Sequence, residues 1–169
     1  TPAPEIEQAL KKSPDSVPAL MALGASQELK PDASAARSTY EKVLTQFPDF
    51  SPAKLRLAVL GAGAAEFDQK AYDLAMQART AFPSNPDAAK ALGILTYRKG
   101  DDYPRAVTLL KQSVSARSTD AETQYYLGLA QIQTKDNAGA RQSLQKAIDA
   151  GLRADLAADA KKKLEGIKS

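Results

Sequence analysis

Residues 86–120 read PDAAKALGILTYRKGDDYPRAVTLLKQSVSARSTD, and residues 121–154 read AETQYYLGLAQIQTKDNAGARQSLQKAIDAGLRA. Aligned at their first residues, the two stretches share a Leu-Gly pair at positions seven and eight, Leu92-Gly93 and Leu127-Gly128. They therefore repeat each other at a spacing of 34 to 35 residues. Such a period is typical of solenoids built from short helical units.

Two earlier units extend the same period and begin at Val17 and Pro52. All four units carry a small residue near the twentieth position: Ala36, Ala71, Ala106 and Ala140. The first two end on Phe47-Pro48 and Phe82-Pro83, and a proline disfavours helix at the residue before it. The sequence thus predicts four repeats. Their bounds are 17–51, 52–85, 86–120 and 121–154.

Each unit has two apolar stripes at helical spacing, which predicts two short helices joined by a turn. Neither helix can bury its stripe alone, so each pair must pack on the next. Small residues at fixed positions let the helix axes approach closely. Ser51-Pro52 and Asn85-Pro86 are read as helix starts, with an N-cap side chain followed by proline at the first helical position.

The pattern of Leu-Gly, alanine, aromatic or aliphatic residue and closing proline resembles the tetratricopeptide repeat over residues 17 to 154. The resemblance implies an all-α fold, a right-handed superhelix of antiparallel helix pairs, of the type found in bacterial arrays. The departures are Ala58-Val59 in place of Leu-Gly, Ser118 and Leu152 in place of the closing proline, and the lack of the family's Trp. None of these shifts the phase of the repeat.

Residues 1–16 resemble the second half of a unit, because Ile6, Ala9 and Pro14 have the spacing of its second helix. We expect this half-repeat to come from a longer array, with Ile6 and Leu10 packing against a missing helix. The alternative is a lone N-terminal capping helix.

Residues 155–169 begin like a fifth unit but carry lysines where Leu-Gly belongs. Leu156, Ala160 and Leu164 share one helical face, so we expect a capping helix that covers the last apolar seam and forms a genuine C-terminal end. The run Lys161–Lys163 is read as a solvated surface, and contact with a phosphate or a membrane surface is the alternative.

Composition excludes several kinds of site. The 169 residues contain no cysteine and no histidine, which removes disulfides, thiolate zinc sites and every Ser-His-Asp arrangement. The net charge of +3 comes from 23 basic and 20 acidic residues spread along the chain, so no nucleic-acid partner is expected. No apolar run reaches the roughly 20 residues that a membrane-spanning helix needs, so no membrane insertion is expected.

The best catalytic candidates have structural explanations. Asp101-Asp102 could form a carboxylate pair, but a cap for the helix that contains Pro104 is the preferred interpretation. Gly61-Ala62-Gly63 lies within a predicted helix and lacks the strand and the Gly-Lys-Ser/Thr of a phosphate loop. We therefore predict no enzyme and no catalytic, cofactor-binding or metal-binding residue.

The family resemblance places a peptide groove at positions five, nine, twelve and thirteen of each first helix. The candidate groove residues are Met21, Arg56, Leu60, Lys90, Ile94, Tyr97, Arg98, Tyr125, Leu129 and Ile132. An apolar band flanked by Arg56, Lys90 and Arg98 suits a peptide with apolar anchors and acidic flanks. The alternative is that the apolar members face the next helix.

The leading interpretation is a protein-interaction scaffold that binds a partner peptide or protein in this groove. The ninth positions contain no asparagine, which disfavours the carboxylate clamp of some family members. A second interpretation is an accessory module of a longer enzyme or of an envelope, secretion or polysaccharide-export assembly. Self-association through the N-terminal half-repeat is a third. Bacterial cytoplasm and periplasm both stay open.

Overall fold

The computed structural model describes residues 3–30 and 32–167, and these residues form ten α-helices and no strand. The helices are α1 (Pro4–Lys12), α2 (Val17–Glu28), α3 (Ser34–Gln46), α4 (Ser51–Gly63), α5 (Gln69–Ala81), α6 (Pro86–Lys99), α7 (Tyr103–Ala116), α8 (Ala121–Gln133), α9 (Asn137–Asp149) and α10 (Ala154–Gly166). The predicted all-α class is confirmed. Residues 1–2 and 168–169 of the predicted half-repeat and capping helix, and Pro31, lie outside the described residues.

Neighbouring helices pack in sequence order. The closest pairs are α2 with α3, α4 with α5, α6 with α7 and α8 with α9, and each pair packs on the next. The first helix of each pair also contacts its counterpart, α4 with α6 and α6 with α8. The division into a half-repeat, four repeats and a capping helix stays our interpretation of this helix order.

Helix boundaries follow local chemistry. The Asn85 side chain accepts hydrogen bonds from the backbone N–H groups of Asp87 and Ala88, so the predicted cap of α6 is confirmed. Asp102 caps α7 through the N–H of Arg105, which confirms the preferred reading of the Asp101-Asp102 pair. The prediction for Ser51 is wrong, because this residue is the first of α4 and makes no capping bond.

The Leu-Gly glycines are contact points between the two helices of a pair. A Cβ atom built on Gly93 would lie 2.8 Å from Cγ of Leu110, and one built on Gly128 would lie 2.7 Å from Cγ of Leu144. Both leucines are fully buried. Glycine is therefore present at these positions because its missing side chain makes room for a large residue on the second helix.

The second pair has a different close contact. A Cβ atom on Gly61 would lie only 2.2 Å from Cβ of Ala71 on α5. Val59 occupies the position of the Leu-Gly glycine, and the residue equivalent to Leu110 is Ala75. Ala75 is buried in the apolar core of α4 to α10, and Val59 is partly buried and packs against that core.

The ends of the array are covered to different extents. Leu10 on α1 packs against an apolar cluster of α2, α3 and α4, while Ile6 is partly buried. Self-association through this face stays a prediction. On α10, Ala160 is buried in the core and Lys161–Lys163 are exposed, as predicted for a cap with a solvated face. Within the described ranges, no helix combines the length and the apolar character that crossing a bilayer requires.

Candidate binding groove

A cavity of about 250 Å³ opens between the first helices of the last three pairs, and we call it the α4–α6–α8 cavity. Its apolar lining comes from α4 and α6, namely Val59, Ala62, Gly63, Ala91 and Ile94. Its charged rim consists of Asp87, Lys90, Arg117, Asp120 and Glu122. Small residues on α4 keep the cavity open, and the charges come from α6 and from the segment that leads into α8.

Lys90 is the central cation of the rim. Its Nζ lies 3.1 Å from Oδ2 of Asp120 and 2.8 Å from Oε2 of Glu122. Burial alone would lower the pKa of Lys90, but the two carboxylates outweigh it and the pKa lies above its usual value. The ammonium group is therefore held charged between Asp120, at the end of its own repeat, and Glu122 of the next repeat.

Asp120 has two structural roles. Its side chain caps α8 by accepting a hydrogen bond of 2.9 Å from the N–H of Thr123. Burial would raise the pKa of Asp120, but the bond from Thr123 and the charge of Lys90 hold it below its ordinary value. The same carboxylate thus fixes the start of α8 and the position of Lys90.

The lowered pKa of Asp120 predicts a loss of stability in acid. A depressed pKa in the folded state contributes stability above the unfolded value, about 3.9, and this contribution is lost as the pH falls through the folded pKa. Asparagine also caps helices, so Asp120→Asn removes the charge and keeps the cap. We expect a lower free energy of unfolding for Asp120→Asn at pH 7, with the difference from wild type shrinking below about pH 4. Urea titrations across that range measure it, and a constant difference contradicts the prediction.

Arg117 completes the rim at its outer edge. Its guanidinium pairs with Asp87, with 2.5 Å between Nη1 and Oδ1. Arg117 comes from the end of one unit and Asp87 from its start. The pair therefore ties the two ends of the third repeat together beside the cavity.

A second ion pair lies at the junction of the first two pairs. Arg56 binds Glu28 through both Nε and Nη2, with 2.8 Å between Nε and Oε1. The hydroxyl of Tyr40 donates to the same carboxylate at 2.5 Å. Burial, the hydrogen bond to Glu28 and its negative charge raise the pKa of Tyr40 well above its usual range.

The structure places the predicted groove residues in three environments. Ile94, Tyr125 and Leu129 are buried, with Ile94 fully covered. Met21, Leu60, Tyr97 and Ile132 are partly buried and pack against the apolar clusters. The three basic residues are Arg56, Lys90 and Arg98, and each is partly buried.

Each of the three basic flank residues has a partner within the chain, and their role as flanks of a peptide groove stays a prediction. Arg56 is paired with Glu28, and Lys90 with Asp120 and Glu122. The guanidinium of Arg98 lies 5.2 Å from the ring centroid of Tyr126 and donates to its hydroxyl at 2.6 Å. Tyr125 also bonds internally, to Asp159 of α10 at 2.8 Å.

Several lining residues were absent from the sequence-based groove. They are Val59, Ala62, Asp87, Ala91, Arg117, Asp120 and Glu122. Lys90, Ile94 and Gly63, which occupies the twelfth position of the second unit, are common to the prediction and to the cavity lining. One signal was available: Asp87 and Glu122 are both acidic and occupy the second position of consecutive units. In the described part of the chain, no group of three acidic side chains gathers closely enough to hold a metal ion.

Comparison with known proteins identifies the family. A profile of the tetratricopeptide repeat matches residues 3–49 and 90–155, which together are more than half of the chain. No curated protein sequence matches the chain significantly.

Solved structures share the fold at low sequence identity. MamA is 20% identical, with a TM-score of 0.65 over 86% of this chain and 84% of that one. The type IV pilus biogenesis factor PilW is 19% identical, with a TM-score of 0.68 over 89% and 70%. YrrB, described as a TPR protein with an unusual peptide-binding site, is 19% identical, with a TM-score of 0.64 over 93% and 80%. From the matched profile and the shared fold, the chain belongs to the tetratricopeptide repeat family.

Proposed function

We propose that this chain is a protein-interaction scaffold that binds a short segment of a partner protein in the α4–α6–α8 cavity. The observation that carries the proposal is the combination of an open cavity of about 250 Å³, its apolar lining, which we call the floor, and its charged rim. Binding sites commonly combine an apolar surface for affinity with a few placed polar groups for orientation. The family supports a scaffold, and the described peptide site of YrrB is compatible with it.

Gly63, Lys90 and Ile94 are the predicted groove residues that line the cavity itself. We propose that the other predicted residues extend the binding surface beyond it, by direct contact where they are exposed and by supporting the wall where they are buried. A role as a scaffold without catalysis is part of the same proposal, because repeats of this family typically serve as scaffolds.

Filling the cavity tests the proposal. Gly63 lines the cavity, and a Cβ atom built on it meets nothing within 4 Å, so we expect a leucine at this position to occupy part of the cavity. We expect Gly63→Leu to keep the helicity and the unfolding midpoint of wild type. Peptides selected on wild type from a random library displayed on phage should bind this variant at least about ten-fold more weakly, because roughly 1.4 kcal/mol of contact is lost. Fluorescence anisotropy measures the affinities.

Gly166→Leu is the matched control. Gly166 is the last residue of α10, as Gly63 is the last of α4, and its Cβ atom also meets nothing within 4 Å. It lies outside the α4–α6–α8 cavity, so peptide affinity should not change. Equal affinity of Gly63→Leu and wild type for every selected peptide would count against the cavity as the binding site.

An accessory module in an envelope, secretion or polysaccharide-export assembly is the second candidate. Its support is the shared fold with PilW, which is described as a pilus biogenesis factor. The two candidates differ in the bound partner. Cross-linking in source cells through a photoreactive residue at position 63, followed by mass spectrometry, distinguishes an assembly component from an unrelated protein.

A further inference from the structure

The geometry points to a partner segment that carries a lysine or arginine beside an aliphatic residue, with the aliphatic side chain on the cavity floor and the cation at Glu122. This inference rests on the proposed function and reverses the acidic partner expected from the sequence. Three properties of the rim carry it.

The first property is the charge balance. The rim contains three carboxylates, Asp87, Asp120 and Glu122, and two cations, Lys90 and Arg117. The rim therefore has one more negative than positive group, in a chain whose net charge is +3. A segment that fills the cavity with a positive charge compensates the excess carboxylate.

The second property is that the hydrogen-bond donors of Lys90 are already used, whereas Glu122 can accept a further bond. An ammonium group has three N–H donors, and Nζ of Lys90 has three acceptor atoms within 3.2 Å, two on Asp120 and one on Glu122. A carboxylate offers about four acceptor positions, so Glu122 retains capacity for a further donor. A partner carboxylate would meet saturated donors at Lys90, whereas a partner cation meets open acceptors.

The third property is exposure at the rim. The side chain of Glu122 is 33% exposed, and that of Lys90 is 22% exposed. Arg117 is 51% exposed at the outer edge and is paired with Asp87. Among Lys90 and its two carboxylate partners, the most exposed side chain is thus the anion Glu122.

The apolar floor sets the other requirement. Ala62, Gly63 and Ala91 are small, so the floor leaves room for a side chain from the partner. Val59 provides an aliphatic wall, and it packs against the buried cluster that contains Ile94. A leucine, isoleucine or valine buried there contributes through apolar contact, and the neighbouring cation fixes the register of the segment on the rim.

The overall charge of the protein and the local charge of the rim predict opposite peptide preferences. A chain with a charge of +3 attracts acidic peptides through its overall field. A preference for basic peptides therefore has to arise from the local rim. Peptide selection separates the two effects, because they have opposite signs.

The test uses a random peptide library displayed on phage and selected on the full chain. Binders are then sorted by whether Gly63→Leu abolishes their binding. We expect the cavity-dependent binders to be enriched in lysine or arginine beside leucine, isoleucine or valine. Cavity-dependent binders without this enrichment, or enriched in aspartate and glutamate, would overturn the inference and leave the proposed function standing. Recovery of no cavity-dependent binder would overturn both.

Charge variants test the named contact. Glu122→Gln should weaken binding of the strongest basic binder by roughly two- to five-fold, the scale of a partly exposed ion pair. A version of the same peptide with glutamate in place of its basic residue should bind Glu122→Gln better than wild type. Glu165→Gln is the matched control, because Glu165 is exposed on α10 outside the cavity, and it should leave both affinities unchanged. Equal effects of the two variants would overturn the contact with Glu122.

Discussion

Replacing Gly61 with leucine is expected to destabilise the chain by about 3 kcal/mol, at the upper end of the usual cost of overpacking a core. The added Cβ atom would lie 2.2 Å from Cβ of Ala71, which is too close for any real contact. Ala71 is 2% exposed, and its Cβ cannot rotate away because it is attached directly to the backbone of α5. Helices α4 and α5 would have to separate.

Gly63→Leu provides the internal comparison, because it makes the same change two residues later on the same helix. The position of Gly63 is open, so the variant should unfold at the urea concentration of wild type. Urea titrations followed by circular dichroism at 222 nm compare the three chains. An unfolding midpoint for Gly61→Leu equal to that of Gly63→Leu would contradict the close contact between α4 and α5.

The repeat period made the fold predictable from the sequence. The Leu-Gly pairs fixed the phase, and the prolines after Phe47 and Phe82 marked the ends of α3 and α5, which finish at Gln46 and Ala81. The wrong prediction for Ser51 is an offset of one residue. An N-cap residue and the first helical residue differ by a single position, and the Ser-Pro pair alone does not distinguish them.

The groove was less predictable, because its electrostatics depend on pairs between residues that are far apart in sequence. Lys90 and Asp120 are 30 residues apart in sequence, and Arg56 and Glu28 are 28 apart. The family register indicates which positions lie on the first helices. It does not indicate which carboxylate a lysine will reach across the turn between two units. The sequence shows the basic residues, but it does not show which carboxylates pair with them in the fold.

The second repeat has another combination of residue sizes at the positions where the third repeat pairs glycine with leucine. Where the third repeat has Gly93 and Leu110, the equivalent positions of the second are Val59 and Ala75. Val59 is partly buried and lines the cavity, while Ala75 is fully buried. Relative to the third repeat this is an exchange of size, with the larger residue on the first helix and the smaller on the second.

This exchange predicts the outcome of a double-mutant cycle in the third repeat. Leu110 is fully buried, so Leu110→Ala should lower the free energy of unfolding by about 2 to 5 kcal/mol. Gly93→Val alone places its Cβ 2.8 Å from Cγ of Leu110 and should cost about 1 to 3 kcal/mol. In the double variant, the valine at position 93 occupies the space that the leucine at position 110 leaves. The double variant should be more stable than Leu110→Ala alone.

The coupling energy is the quantity to measure. Residues in direct contact typically couple by roughly 0.5 to 3 kcal/mol, and we expect a favourable value in the upper half of that range. Urea unfolding of the four chains of the cycle gives it. A Cβ on Gly93 would also lie 3.3 Å from Cβ of Leu109, so recovery should be partial, because α7 must shift slightly. Additive effects of the two changes would show that the Gly93–Leu110 contact does not set the spacing of α6 and α7.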